Sequence, residues 1–270
     1  MTAASTPVPA EDRAPLSAPA LRGELARQRA RWRDVRVVSE TGSTNADLLA
    51  DARNGAPEGT VLAAEYQSAG RGRLGRRWAS PPRAALTVSV LLRPRGVPAG
   101  RKGWVPLLAG VAVASALRAG AGLDARLKWP NDVLVQGANV AGILAERHGD
   151  AIVVGIGINV STRQDELPAG RATSLALAGA ARTDREYLLA CVLAELARWY
   201  LTWIGAAGAG GLRAEYLRLS GTVGRPVRVS LPGGHVLTGT AQDVDEAGRL
   251  VVLTGSGLVP VTAGDVVHLR

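Results

Sequence analysis

The chain contains no phenylalanine, one methionine, one cysteine and three histidines. Cys191 by itself cannot close an internal disulfide, and His148, His235 and His268 are too scattered to give a zinc-ligand spacing. Thiol-bridge and zinc chemistry therefore drop out. Lysine is almost as scarce, with only Lys102 and Lys128, so the formal charge of +9 and the pI near 10.8 come almost wholly from arginine. Together with the abundance of alanine and glycine, this is a compositional bias spread along the chain. It weakens any inference of nucleic-acid binding from charge alone, since a basic surface equally suits an acidic protein partner or a phosphate-bearing ligand. The longest apolar runs, such as Leu107 to Leu117, fall short of the ~20 residues that cross a bilayer, and no membrane span is expected. The N-terminus carries Glu11 and Asp12 among prolines where a secretory signal has a basic flank and an apolar stretch, which points to a cytoplasmic protein.

What is present is enough apolar material for a core: 47% of the 270 residues are apolar and 20% charged, which fits one substantial domain with a small second one. Met1 to about Leu16 is rich in Pro, Ala and Ser without periodicity and reads as a disordered tail; Leu21 to Trp32 is a short arginine-rich helix. From Val35 the pattern reads strand (Val35 to Ser39), helix (Asn45 to Arg53), strand (Thr60 to Tyr66), a Gly/Arg loop, and strand (Ala84 to Leu92). A helix (Val105 to Ala119) follows, then strands near Arg126 to Lys128, Val133 to Val135, Val140 to Glu146 and Ala151 to Ile158. Leu188, Val192, Leu196, Trp199 and Trp203 form the stripe of an amphipathic helix. After Ser220 short β runs separated by glycine turns suggest a small closed barrel. The alternation says α/β or α+β, and the expected organisation is a tail and helix over 1–34, a larger domain over 35–220 and a β domain over 221–270.

Two segments carry chemistry. Gly70-Arg71-Gly72-Arg73-Leu74-Gly75 follows an apolar strand directly; its glycines let backbone N–H groups approach a ligand, and its guanidiniums offer fixed forks of donors to phosphate or carboxylate. A nucleic-acid grip of the arginine-glycine kind, or a plain solvated loop, is the alternative reading. Lys128-Trp129-Pro130-Asn131-Asp132 packs a cation, an amide and a carboxylate into five positions, where Lys128 can meet a phosphate and Asp132 can hold Mg²⁺ or orient Lys128. A surface turn with an incidental ion pair fits the same residues. Gly155-Ile156-Gly157 could pass for a dinucleotide fingerprint but lacks the third glycine.

Taken together and in order, Ser43-Thr44-Asn45, the GRGRLG loop, KWPND at Lys128 to Asp132, Ala141-Gly142-Ile143-Leu144 and Gly155-Ile156-Gly157-Ile158-Asn159 resemble the signature set of biotin protein ligases. The resemblance runs from about Val35 to the end. It implies a catalytic domain like that of class II aminoacyl-tRNA synthetases, built on an antiparallel sheet, followed by an SH3-like barrel. It also implies a two-step reaction: biotin and MgATP give biotinyl-5′-adenylate, and a lysine of a biotin carboxyl carrier domain of an acyl-CoA carboxylase then takes the biotin. On this resemblance Ser43, Thr44, Asn45, Gln67, Gly72 and Gly142 face biotin, and Arg71 and Arg73 draw the carboxylate and phosphate together. Trp78 covers the adenine, and Lys128, Asn131, Asn139, Asn159 and Asp132 attend the phosphates and any Mg²⁺. Asp132 is also the candidate for orienting or deprotonating the acceptor lysine. Ser43 to Asn45 can equally cap a helix, and Trp78 can anchor an apolar loop.

One position departs from the pattern. Two residues before the Ala of Ala-Gly-Ile-Leu the family carries a lysine that contacts the reacting carboxylate and α-phosphate, and this chain has Asn139. The loss of such a cation costs on the order of 3 kcal/mol of barrier, by analogy with one oxyanion donor. Either Arg71 and Arg73 carry more of the load, or the ligase is slow or a non-catalytic biotin binder. A lipoate-protein ligase and a nucleic-acid-binding regulator are the other rivals. The region before Val35 is too brief for a helix-turn-helix domain, so no specific DNA binding is expected, and the protein is read as a monomer or weak homodimer.

Overall fold

The computed structural model describes residues 13–30, 32–168, 170–205 and 208–269. A seven-stranded mixed sheet forms the larger part, in the order β1-β2-β3-β7-β6-β5-β4. Its strands are β1 (Asp34–Val38), β2 (Thr60–Ala64), β3 (Ala85–Leu92), β4 (Ala125–Lys128), β5 (Asp132–Val135), β6 (Ala138–His148) and β7 (Ala151–Asn159). All neighbours are antiparallel except β1 and β2, which run parallel because the helix α2 (Thr44–Arg53) carries the chain over between them. The expectation of an antiparallel sheet thus holds for every pair but one.

Alternation along the strands sorts the two faces. Leu86, Val88, Val90, Ile152, Val154, Ile156 and Ile158 point into the main core, covered by α3 (Trp104–Ala121) and α4 (Arg185–Ile204). Their neighbours Thr87, Ser89, Gly155 and Gly157, with Gly142, Leu144 and Glu146 of β6, occupy the opposite face. Among the described helices only α2 covers the sheet there, through a small cluster of Leu48, Leu49, Leu62, Leu91 and Val153. The rest of that face has no helix over it, and the cavity lies on it. Residues Ala99–Ala121 and Arg185–Ile204 are long and apolar enough to cross a membrane by composition, which the count of uninterrupted apolar runs missed. Both bury their apolar sides in this core.

Residues 1–12 of the expected tail lie outside the described residues. Arg13 to Leu16, assigned to the same tail, are instead pinned down: Arg13 is buried and donates to Glu166 Oε2 at 2.7 Å, and Leu16 N donates to Glu65. Two acceptors inside the domain explain why a segment without periodicity is ordered. Helix α1 (Ala18–Arg27) follows, capped by Ser17 and shorter than the predicted Leu21 to Trp32. A helix absent from the sequence reading, α5 (Gly208–Leu219), buries Leu212, Tyr216 and Leu219; its glycine-rich start hid the pattern.

The C-terminal part is a five-stranded antiparallel sheet consistent with an SH3-like fold, ordered β11-β10-β9-β8-β12. It comprises β8 (Pro226–Ser230), β9 (Val236–Val244), β10 (Leu250–Thr254), β11 (Gly257–Val261) and β12 (Asp265–His268). Two tryptophans of the larger part fasten it. Trp104 Nε1 donates to the carbonyls of Asp245 and Glu246 at 3.1 and 3.0 Å, and Trp129 Nε1 donates to Gly248 O at 3.1 Å.

Candidate active site

The open face of the sheet begins at the N-terminus of α2. Ser43 caps the helix, its hydroxyl accepting from Ala46 N at 3.4 Å, so the capping reading of Ser43 is correct. The next two residues turn their polar groups inward. Thr44 donates from its backbone N and its hydroxyl to Gln67 Oε1, at 2.8 and 3.0 Å. Ser89 Oγ stands 2.7 Å from Thr44 Oγ1 and 2.6 Å from Asn45 Oδ1, and its single proton can serve one of them at a time. Asn45 Nδ2 donates to Leu144 O at 3.1 Å and to Glu146 Oε2 at 2.8 Å. The buried Ser43, Thr44 and Asn45 and the half-buried Gln67 thus form one polar floor, able to exchange its hydrogen bonds with those of a small polar ring.

The Gly/Arg loop closes over this floor as a hairpin. Trp78 N donates to Gly70 O at 3.0 Å, Gly72 N donates to Arg76 O at 2.7 Å, and Arg71 bridges Arg77. The tip holds Leu74 at φ 54° and Gly75 at φ 74°. The hairpin fans its guanidiniums apart. Arg71 reaches Glu146 Oε1 at 3.5 Å, Arg73 donates to Asn131 Oδ1 at 2.9 Å, Arg76 pairs with Asp265 of β12, and Arg77 donates to Ser68 O at 3.1 Å. Burial lowers the Arg73 pKa, with Arg76 acting in the same sense and Asp132 opposing it.

Trp78 lies where its indole covers bare backbone: a methyl added to Gly157 would overlap the ring, and one on Gly142 would stand 3.3 Å from Cζ3. Gly155 plays the same part for Asn45. The Gly-Ile-Gly of β7 therefore seats two side chains, one per glycine, and is no dinucleotide fingerprint. The indole Nε1 is buried without a partner among the described residues.

On the far side, Asn131 is locked to β6, accepting from Ile143 N at 2.9 Å and donating from Nδ2 to Ile143 O at 3.2 Å. Asp132 meets Lys128 Nζ at 3.3 Å, with both side chains about a quarter exposed. Asp132 lines the cavity and Lys128 stands behind it. Among the described residues no three acidic, histidine or cysteine side chains cluster as a metal site. Among the described residues Asp132 is the one carboxylate of this cavity wall. That donor set suits a Mg²⁺ that keeps its waters and is held chiefly by nucleotide phosphates.

The cavity, about 400 Å³, brings together Ser43, Thr44, Asn45, Gln67, Arg71, Gly72, Arg73, Trp78, Asn131, Asp132, Asn139 and Gly142. A second hollow of about 770 Å³ lies beyond the loop, between it, Trp129 and the turn Ala247 to Arg249 of the C-terminal sheet. Lys128 and Asn159 line neither hollow among the described residues. For Asn159 the reason is a bond made elsewhere. Its side chain is buried and donates to Thr173 O at 3.0 Å, so it fastens the chain after β7 and does not line either hollow. Ser89, Glu146 and Arg171 escaped the sequence reading, and Gly155 was named there without its role beneath Asn45. Ser89 and that role could have been found from the strand alternation that puts both residues on the face of Asn45.

The chain resembles known proteins along most of its length. The model of the biotin/lipoate A/B protein ligase family matches residues 37–162, and that of the biotin protein ligase C-terminal domain matches 222–269. The chain is 45% identical to a biotin–[acetyl-CoA-carboxylase] ligase of Mycobacterium tuberculosis, over 96% of this chain and 97% of the relative. It is 34% identical to the bifunctional ligase/repressor BirA of Escherichia coli, over 87% of this chain and 74% of that protein. Among solved structures, a biotin protein ligase from Aquifex aeolicus in complex with biotin and ATP superposes with a TM-score of 0.75 at 29% identity, covering 88% of this chain and all of that one.

Proposed function

The chain belongs to the biotin protein ligase family and is an ATP-dependent ligase, and from that premise we propose a division of labour within its cavity. The observation that carries it is the meeting of the α2 polar floor, the arginine hairpin and Asn131-Asp132 around one hollow. Biotin's fused rings take the floor of Thr44, Asn45 and Gln67, with Ser43 holding the helix end that presents them, while bare Gly142 lets the Trp78 indole lie close to the sheet beside them. Arg71, the Gly72 backbone and Arg73 face the carboxylate. Trp78 borders the adenine, and Asn131, with Lys128 behind Asp132, attends the phosphates; Asn139 borders the same space.

A carboxylate oxygen of biotin attacks the α-phosphorus of ATP, the bond to the bridging oxygen breaks, and pyrophosphate leaves with that electron pair. The arginines offset the repulsion between two anions brought together, which is electrostatic and positioning catalysis. Mg²⁺, when bound through the phosphates beside Asp132, supplies further charge neutralisation. In the second step a lysine amine of a carboxylase carrier domain attacks the acyl carbon and AMP departs; Asp132 is placed to orient that amine or take its proton. The lipoate reading is disfavoured by the C-terminal domain and by the names of the relatives. Cytoplasmic location, a monomer or weak homodimer, and the absence of sequence-specific DNA binding complete the proposal. Transfer of labelled biotin from biotin and ATP to a carrier domain tests the reading. Absence of transfer with a competent carrier domain overturns it.

A further inference from the structure

Five arginines border the cavity: Arg71, Arg73, Arg76, Arg77 and Arg171. Four are committed to protein partners, namely Glu146, Asn131, Asp265 and the Ser68 carbonyl. Arg171 is exposed, and among the described residues its guanidinium has no partner. Its position is fixed by the residue at which this chain departs from its family. Asn139 N donates to Arg171 O at 2.8 Å, Thr173 N donates to Asn139 O at 2.9 Å, and Asn139 and Ala172 form a parallel bridge. The segment carrying Arg171 is therefore stitched alongside Asn139, on the same wall of the same hollow.

We propose that Arg171 supplies, from the neighbouring chain segment, the cation that position 139 lacks, and that its guanidinium engages the carboxylate and α-phosphate during adenylate formation. The inference rests on the ligase reading above. A free guanidinium at the rim has no ion pair to break before it meets an anion, and its planar fork suits two oxygens at once. An uncharged residue at 139 is what this arrangement calls for. A lysine there would set a second cation beside Arg171, each disfavouring the charge of the other.

Single-turnover formation of biotinyl-adenylate from biotin and MgATP tests this on the full chain. Arg171→Ala is expected to slow the step by roughly a hundredfold, the scale of losing one preorganised donor. Arg171→Lys keeps most of the rate. Asn139→Lys placed on Arg171→Ala restores it, whereas Asn139→Lys in the natural chain gains little. Thermal unfolding of Arg171→Ala should match the natural protein, since an exposed side chain without partners supports no core. A rate for Arg171→Ala close to natural overturns the proposal, as does a slow Arg171→Ala that Asn139→Lys does not rescue, or a large gain from Asn139→Lys alone. In each of these outcomes the ligase reading stands, because the natural chain still makes the adenylate. A natural chain that makes none overturns both.

Discussion

Asn45 lies flat against Gly155, so close that a methyl group on the glycine would overlap its amide oxygen. The contact joins the first turn of α2 to the middle of β7, and it fixes the amide in the polar floor between Ser89 and Glu146. Gly155→Ala should push Asn45 out of that plane. Biotin affinity is expected to fall tenfold or more, with a stability loss of about 1–3 kcal/mol typical of overpacking. Calorimetric titration of biotin beside a thermal melt checks both, and unchanged affinity would show that the Asn45 plane does not set recognition.

The hairpin arginines predict a different split. Arg71 is half exposed and holds Glu146 at 3.5 Å, and Arg73 holds an uncharged amide. Such contacts contribute about 0–1 kcal/mol to stability. Arg71→Ala and Arg73→Ala should therefore leave the melting temperature within a few degrees while pyrophosphate release drops about a hundredfold. Stability and activity falling in step would remove these residues from the chemistry.

The reverse holds for Arg185, which is buried and donates to Glu65 Oε2 at 2.6 Å. Glu65 also receives Leu16 N, and Arg185 also holds the Ala14 carbonyl, so the pair ties the N-terminal segment to the sheet. Arg185→Met leaves a buried carboxylate without its cation, and a loss of about 3–5 kcal/mol is expected in denaturant unfolding. A change below 1 kcal/mol would mean that the N-terminal segment is not held through this pair.

His268 gives the acid limb of stability. Burial lowers its pKa from 6.5 to about 4, with Arg225 and Lys128 acting in the same direction. Its Nε2 lies 3.0 Å from Thr222 Oγ1, the oxygen that also accepts from Trp129 N at 3.1 Å. Because the folded pKa lies below the unfolded one, the unfolded chain binds more protons between those values. Stability is fully present above pH 6.5 and declines as pH falls toward 4. His268→Gln should flatten the fall in melting temperature over that window; an unchanged slope would place the acid sensitivity elsewhere.

Local pattern determined most of the elements and named most of the site. The GRGRLG loop, KWPND and the Ser43 cap are short-range features, set by glycine conformations, fixed charges and a helix start that need no distant partner. The sequence by itself also specified the apolar residues of β3, β6 and β7, whose alternate positions fill the main core on one face. It could not specify what stands over the other face, because that depends on strand order. Placing β3 beside β7 and β7 beside β6 lines up Ser89, Gly155 and Leu144 under Asn45, residues as far as 101 positions apart in the chain when Glu146 is included. Tertiary structure alone turned Asn159 away to hold Thr173, drew Arg13 into the domain and set Arg171 beside Asn139. Each of these depends on an acceptor or neighbour supplied by a distant segment, and a one-dimensional pattern carries no record of which segment arrives.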